Sequence, residues 1–262
     1  MHPEAAVASA RIMGIIIKTS EEIAKMREAG RIVADTLVLL RSKIRPGMST
    51  AELDEIAEKN SRKWGAIPSF KGYNGFPASL CVSINEEVVH GIPSPKRRLR
   101  EGDIVSLDFG VIYKGLQGDA AITLGVGHLD PKARMLIAAT EGALFEGIRQ
   151  VRAGKHLSDV SWAIQSYVES RGFSVVRQYV GHGIGRNMHE EPQIPNFGPP
   201  GRGPVLRPGM VLALEPMVNA GGWRTTVKPD NWTVVTEDGS LSAHFEHTVA
   251  VTNGDPEILT MP

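Results

Sequence analysis

Two segments of this chain repeat one pattern at a fixed spacing. Arg100-x-Gly102-x-Ile104-Val105-x-Leu107-Asp108 lies over Arg207-x-Gly209-x-Val211-Leu212-x-Leu214-Glu215, an offset of 107 positions. Gly47 over Gly154, Leu53 over Val160 and Gly65 over Gly172 keep the same offset. An offset that holds through a helical stretch and a strand implies an internal duplication, with two α+β halves related by a pseudo-twofold axis. The ends of equivalent strands then meet at the axis, which brings Asp108 to Glu215. Interfaces between such halves are favoured places for binding sites.

Local signals agree with two such halves. Thr19 to Glu22 and Ser49 to Glu52 are capping boxes, in which side chains satisfy the free N–H groups of a helix start. Ile23, Met26, Gly30, Val33, Leu37 and Leu40 then recur at helical spacing, which predicts a long helix ended by Pro46-Gly47. Leu53, Ile56 and Ala57 carry a second helix to about Trp64. In the second half Asp130-Pro131 opens a helix that runs to about Arg152. Ser158 to Arg171 forms another, closed by Gly172. Strands are expected at Ser79 to Ile84, Val88 to His90, Phe173 to Arg177 and Val211 to Leu214. Trp232 to Thr236 and Phe245 to Val251 are also read as strands, with Asp238-Gly239 between them as a hairpin turn. The Gly- and His-rich run from Gly181 to Pro192 reads as a loop, and residues 195 to 209 as an irregular connection.

The stretch Val105 to Asp119, VSLDFGVIYKGLQGD, reads as a strand, a turn and a strand returning through Ala120 to Leu124. It places Asp108 and Asp119 near one end of a hairpin, where two anions repel unless protonated or bridged by a cation. Asp beside Gly is also common in turns, so the hairpin alone leaves a surface reading open. Three residues of the second half extend the set: His182, Glu215 and Glu246. Four carboxylates and an imidazole do not share a dry pocket without cations, and two divalent ions balance the charge. An oxygen-rich set argues against structural zinc and suits Mn, Fe or Co in an open catalytic site.

The bulk numbers exclude several classes. A net charge of +0 gives no electrostatic footprint for nucleic acid or an anionic membrane. The basic cluster Lys96, Arg97, Arg98 and Arg100 is expected to be a solvated loop, with a phosphate or RNA contact as the alternative. The single cysteine, Cys81, permits no intrachain disulfide and fits a reducing compartment. No apolar run reaches the roughly 18 residues of a membrane span, so a cytoplasmic location is expected.

The motifs VVHGIP (88 to 93), LDFG with its spacing from Asp108 to Asp119, GHGIGRNMHEEP, LALEPM (212 to 217) and HFEHT (244 to 248) resemble those of type I methionine aminopeptidases. The match runs from about residue 15, in family order and at family spacing. It implies an α+β pita-bread fold, two α/β halves around a central antiparallel sheet, with residues 15–262 as one catalytic domain and 1–14 as a flexible tail. It also implies removal of the initiator methionine before a small second residue, by hydroxide that two divalent ions (Co, Mn, Fe or Zn) activate. The resemblance assigns Asp108, Asp119, His182, Glu215 and Glu246 as metal ligands, with Asp119 and Glu246 bridging. His90 and His189 match the substrate-facing histidines, and Glu215 the proton shuttle. Tyr73, Phe76, Cys81, His90 and Trp232 match the methionine pocket. Nascent chain N-termini are the expected partner, the ribosome a further candidate, and the chain is expected to act as a monomer.

Three positions depart from the family pattern. Ala120 stands where bacterial relatives often carry Thr, which implies a missing hydroxyl near the metals. Phe70 and Met188 stand where some relatives have Cys and Phe. The 26 positions from His189 to Glu215 leave no room for the helical insertion of type II enzymes, and no amino-terminal zinc-binding extension like that of some eukaryotic type I enzymes is expected. Two alternatives stay open: an Xaa-Pro peptidase of the same fold, and a non-catalytic binder of nascent chains.

Overall fold

Both capping boxes form and start the helices of the first half. The Thr19 hydroxyl accepts from the Glu22 N–H, and the Glu22 carboxylate accepts from the Thr19 N–H at 2.9 Å. This opens α1 (Ser20–Lys43). Ser49 and Glu52 open α2 (Thr50–Lys63) in the same way. In the second half Asp130 caps α3 (Pro131–Arg149) by accepting from the Lys132 N–H. Asp159 accepts from the His156 N–H at the start of α4 (Leu157–Glu169). The computed structural model describes residues 10–12 and 14–262. Of the tail expected over residues 1 to 14, residues 1–9 and 13 lie outside the described residues; Ala10–Ile12 pairs antiparallel with Ile15–Ile17.

The duplication is visible bond by bond. The Gly47 N–H donates to Leu99 O at 2.7 Å, and Gly154 to Leu206 O at 2.9 Å. Leu99 donates to Met48 O as Leu206 does to Lys155 O. Gly102 and Gly209 share a left-handed turn, with φ of 88° and 89°. A side chain there is sterically disfavoured, which accounts for glycine at both copies.

A nine-stranded sheet joins the halves, with every strand pair antiparallel. Its order is Glu190–Ile194, Gly181–Gly183, Val211–Leu214, Glu246–Ala250, Leu116–Gly125, Ile104–Tyr113 and Ile67–Pro68. Cys81–Ile84 also pairs with Ile104–Tyr113, and Glu257–Ile258 with Glu246–Ala250. The halves meet where Glu246 pairs with Ala121 and His247 with Ala120. One face of the first half packs Val105, Leu107, Phe109 and Ala120 against Leu37, Leu40 and Leu53 of α1 and α2. The equivalent face of the second half packs Leu212, Leu214 and Val249 against Leu136, Leu144, Val160 and Ile164 of α3 and α4. With helices covering one face, period-two alternation leaves the other for side chains of different chemistry. This is the pita-bread arrangement expected.

Two sequence expectations are corrected. The run Gly181 to Pro192 contains two paired strands, Gly181–Gly183 and Glu190–Ile194, around a short irregular turn. Glycine and polar residues carry no hydrophobic alternation, so the pairing was invisible to a periodicity argument. Asp238-Gly239 does turn the chain, but not between paired strands. Val234–Thr236 pairs with Thr225–Val227 and Glu87–Val89, whereas Glu246–Ala250 lies in the central sheet. The basic cluster is also less free than a solvated loop: Arg97 and Lys228 both pair with the fully buried Glu87, and Arg98 donates to Gly47 O.

α1 crosses the sheet at glycine distance. A Cβ on Gly30 would lie 2.1 Å from Leu259 O, and one on Gly118 would lie 2.7 Å from the Gly30 N. Alanine in a helix interior is favoured over glycine by about 1 kcal/mol. Here the obstacle is backbone that cannot rotate away, and overpacking costs about 1–3 kcal/mol. Gly30→Ala is therefore expected to lower the melting temperature, and a raised value in thermal denaturation would contradict the close crossing.

Candidate metal centre

The sheet register lines up the acidic residues. Cys81 is opposite Asp108, Asp108 opposite Ala121, and Ala121 opposite Glu246. Directly opposed residues share a face, so these four stand in a row on the face away from the helices. Asp119 lies two residues from Ala121, on the same face and opposite Gly110. A Cβ on Gly110 would come within 3.1 Å of Asp119 Oδ1, so the missing side chain is what admits the carboxylate. Leu214 is opposite His247, which brings Glu215, one step on, level with Glu246. His182 enters opposite Ala213. Small residues thus occupy the middle of the face and acidic ones surround them.

The resulting geometry fits divalent cations. Ligand atoms of Asp119, His182 and Glu246 all lie within 4.8 Å of one another. His182 Nε2 is 3.5 Å from Glu215 Oε1, and Asp108 lines the same cavity. Asp108 Oδ1, Asp119 Oδ1 and Glu246 Oε1 are buried without a hydrogen-bond partner. Buried polar atoms are rarely left so, and a cation is the partner that oxygen donors of this kind take. Among the described residues, the ion-pairing neighbours of the set are imidazoles, His182 and His244, both at Glu215.

Electrostatics give the same answer. Burial pushes the Asp108 carboxyl up to about 7. Burial, then the neighbouring Asp108, holds Asp119 well above the usual carboxylate range. Glu215 and Glu246 are raised by burial and then by the other acidic groups. Desolvation, then His189, lowers His182 to about 4, which leaves it neutral and able to ligate.

An apolar pocket shares a wall with this cluster. Phe70, Tyr73, Phe76, Cys81, His90, Met188, His189 and Trp232 line one cavity of about 200 Å³ together with the carboxylates. The Phe76 and Trp232 rings meet edge-on at 5.1 Å. Burial, then Asp108, raises the Cys81 thiol, so it is a small apolar wall and not a thiolate. His90 sits at φ 59°, a strained conformation for a residue with a side chain. The adjoining Gly91 lies hard against the strand Cys81–Ile84, where a Cβ would come 2.2 Å from Val82 O. His189 stands at the cavity mouth with its ring 4.3 Å from that of His182 and its Nδ1 2.7 Å from the Tyr73 hydroxyl.

All the residues expected at the site therefore reach one cavity. Several contributors were not read from the sequence. Asn74 also lines the cavity. Lys18 forms a buried ion pair with Glu190 at 2.6 Å, Arg186 pairs with Glu22, and the Gln117 N–H donates to Gly185 O. These contacts clamp the segment that carries His189 to the first half. Their partners lie far apart in sequence, so only the charges in HEEP hinted at them. The expectation for Ala120 is corrected: strand alternation turns it to the helical side, where it is 1% exposed in the core with Phe109. A hydroxyl at this position points away from the acidic cluster.

With the geometry in place, comparison with known proteins identifies the class. The sequence matches metallopeptidase family M24 over residues 24–253, and the chain belongs to that family. Its relatives there are methionine aminopeptidases. The enzyme of Clostridium acetobutylicum is 56% identical over 247 residues, covering 94% of this chain and 99% of the relative. The solved methionine aminopeptidase of Thermotoga maritima superposes with a TM-score of 0.94 at 50% identity, covering 95% of this chain and all of that one. An Xaa-Pro dipeptidase of Bacillus anthracis shares the fold at 27% identity and TM-score 0.75, and this chain spans only 62% of it. Among the described residues no helix is long and apolar enough to cross a membrane.

The raised carboxyls set a sign for pH. Without metal, these carboxyls keep protons in the folded state that the unfolded chain releases between the usual carboxylate range and about pH 7, so their own contribution to stability falls as pH rises through that window, while imidazoles that burial keeps neutral, His182 among them, contribute in the opposite sense. A divalent cation displaces those protons, and its benefit grows with pH. The melting-temperature increment from Mn²⁺ over chelator-treated protein is expected to be larger at about pH 7.5 than at about pH 5.5. An increment that shrinks over that range contradicts the assignment.

Proposed function

We propose that the chain removes N-terminal methionine from polypeptides whose second residue is small, acting in the cytoplasm on nascent chain N-termini through residues 15–262 as one catalytic domain. The observation that carries this is the shared wall: Cys81 of the apolar pocket is paired directly with Asp108 of the acidic cluster. A side chain filling the pocket puts the adjoining peptide bond beside the carboxylates. A thioether is flexible and polarizable, which suits a pocket edged by Phe76 and Trp232.

Asp108, Asp119, His182, Glu215 and Glu246 would hold two divalent ions, with Asp119 and Glu246 shared between them. Ions bound there supply the positive charge that polarises a carbonyl and acidifies water. In this reading the Tyr73 hydroxyl, 2.7 Å from His189 Nδ1, donates to it and so keeps the proton on Nε2. That Nε2–H donates to the scissile carbonyl oxygen as negative charge develops on it. Glu215 takes a proton from the attacking water and delivers it to the leaving amine. His90, held by its strained backbone, orients the scissile amide. The same ligands accept Mn, Fe, Co or Zn, and reconstitution of chelator-treated protein with each in turn ranks them. An Xaa-Pro peptidase and a non-catalytic binder are less favoured, because relatives at 56% identity are methionine aminopeptidases, the Xaa-Pro dipeptidase compared is 27% identical, and the acidic set is complete.

Peptides varied at both positions test the reading. Met-Gly, Met-Ala and Met-Ser peptides are expected to be cleaved efficiently, and Met-Lys, Met-Leu and Met-Phe poorly. A displacement of about 1 Å at the reacting centre costs on the order of a hundredfold. His189→Ala should lower kcat about 10²–10³-fold with little change in KM, as for loss of an oxyanion donor. Asp119→Asn should abolish turnover at saturating metal while leaving the fold intact by circular dichroism. Equal rates for Met-Gly and Met-Phe contradict the crowded rim, and wild-type turnover in Asp119→Asn contradicts the shared carboxylate.

A further inference from the structure

One buried titratable group beside the site has no part in the reading above. His244 ends the strand Ser242–His244 and is 1% exposed. Its backbone is fixed from two sides. It pairs with Met217, and its N–H donates to the Thr123 hydroxyl while its carbonyl accepts from that hydroxyl. The backbone that carries the imidazole is therefore held by elements of both halves. Its Nε2 is buried and has no hydrogen-bond partner.

That nitrogen faces Glu215, with Nε2 3.8 Å from Oε2. The other carboxylate oxygen, Oε1, faces His182 Nε2 at 3.5 Å. Each oxygen of Glu215 thus looks at a different imidazole, and His182 is already committed as a ligand in the proposed centre. A neutral imidazole presents either an N–H or a lone pair at Nε2. A lone pair aimed at a carboxylate is repelled, whereas an N–H is attracted. The Glu215 backbone is anchored separately, its carbonyl accepting from Asn196 Nδ2 at 3.0 Å. A small side-chain movement then closes the gap without moving the strand.

We propose that His244 is a positioning residue for Glu215, donating its Nε2–H to Oε2 and leaving Oε1 free to ligate. The proposal rests on Glu215 being a ligand. Ligating carboxylates are commonly held by a hydrogen bond of this kind, and loss of such a partner costs 10–100-fold in metal affinity or activity. It also accounts for an otherwise unexplained buried nitrogen.

The test uses the full chain and Mn²⁺ alone, with affinity read by titration calorimetry on chelator-treated protein. His244→Leu is expected to weaken Mn²⁺ binding about 10–100-fold. His244→Gln, which restores an N–H donor, should recover most of that loss. Thermal unfolding of the metal-free variants separates positioning from packing, because a structural role lowers metal-free stability and the proposed role does not. Nitrogen-15 shifts of the wild type loaded with diamagnetic Zn²⁺ should show the His244 proton on Nε2. Wild-type Mn²⁺ affinity in His244→Leu, with a loss in Glu215→Gln, overturns the proposal and leaves the centre standing. Unchanged affinity in Glu215→Gln overturns both. A proton on Nδ1 overturns the proposal alone.

Discussion

Four carboxylates converge in one buried cavity, and the remainder of the molecule has to hold them there. Raising Asp108 from 3.8 to about 7 corresponds to on the order of 4 kcal/mol of differential interaction. Asp119, Glu215 and Glu246 are raised as well. Against a net stability of roughly 5–15 kcal/mol for a domain, this cluster is a serious opponent of folding. It persists because its members are placed by backbone register and not by mutual attraction. Cys81, Asp108, Ala121 and Glu246 are consecutive steps across a hydrogen-bonded ladder. The hydrophobic layers beneath the opposite face stabilise that ladder. Metal then converts the repulsion into attraction, which couples occupancy of the site to stability of the fold.

The two halves make unequal contributions. The first supplies Asp108, Asp119 and most of the apolar pocket. The second supplies His182, His189, Glu215 and Glu246, together with Met188 and Trp232. Neither half contains a working site, so the contacts between them are functional as well as structural. The Lys18–Glu190 pair is buried on both sides, and such pairs cost desolvation that their attraction only partly returns. Its position beside His189 gives it a use: it fixes the segment that must present an imidazole at the cavity mouth. Tyr73 completes the link by joining the pocket turn to His189. A side chain that fills the pocket therefore touches the element that orients the histidine.

Much of this was legible in the sequence, for identifiable reasons. The repeat at 107 positions is a statement about topology, and it survived because left-handed turns at Gly102 and Gly209 demand glycine twice. The capping boxes are local and formed as read. The acidic residues could be collected because each sits at the end of or inside an expected strand, and Asp108 and Glu215 hold equivalent places in the repeat. What stayed hidden depends on pairing between distant strands. Gly181–Gly183 has no hydrophobic alternation, so its place in the sheet comes from its neighbours. The inward or outward sense of Ala120 required the register of the hairpin. His244 lies in HFEHT, but nothing local distinguishes a buried unpaired imidazole from a satisfied one.

The departures Phe70 and Met188 can now be read together. A Cβ at Gly110 would meet Asp119 Oδ1, Met188 Cε and Phe70 Cε1, each at 3.1 Å. One absent side chain thus accommodates a ligand carboxylate on one side and two bulky apolar groups on the other. Gly110 lies in a strand interior, where glycine is normally a weakness. Here the close approach gives the reason for it. The acidic cluster and the apolar wall therefore meet over the same glycine, with no side chain of its own between them. Phe70 and Met188 close over it from different halves, so the apolar wall is continuous across the molecular pseudo-axis. In the proposed reading this apolar wall keeps water from the side that receives the methionine side chain. The carboxylates line that same cavity.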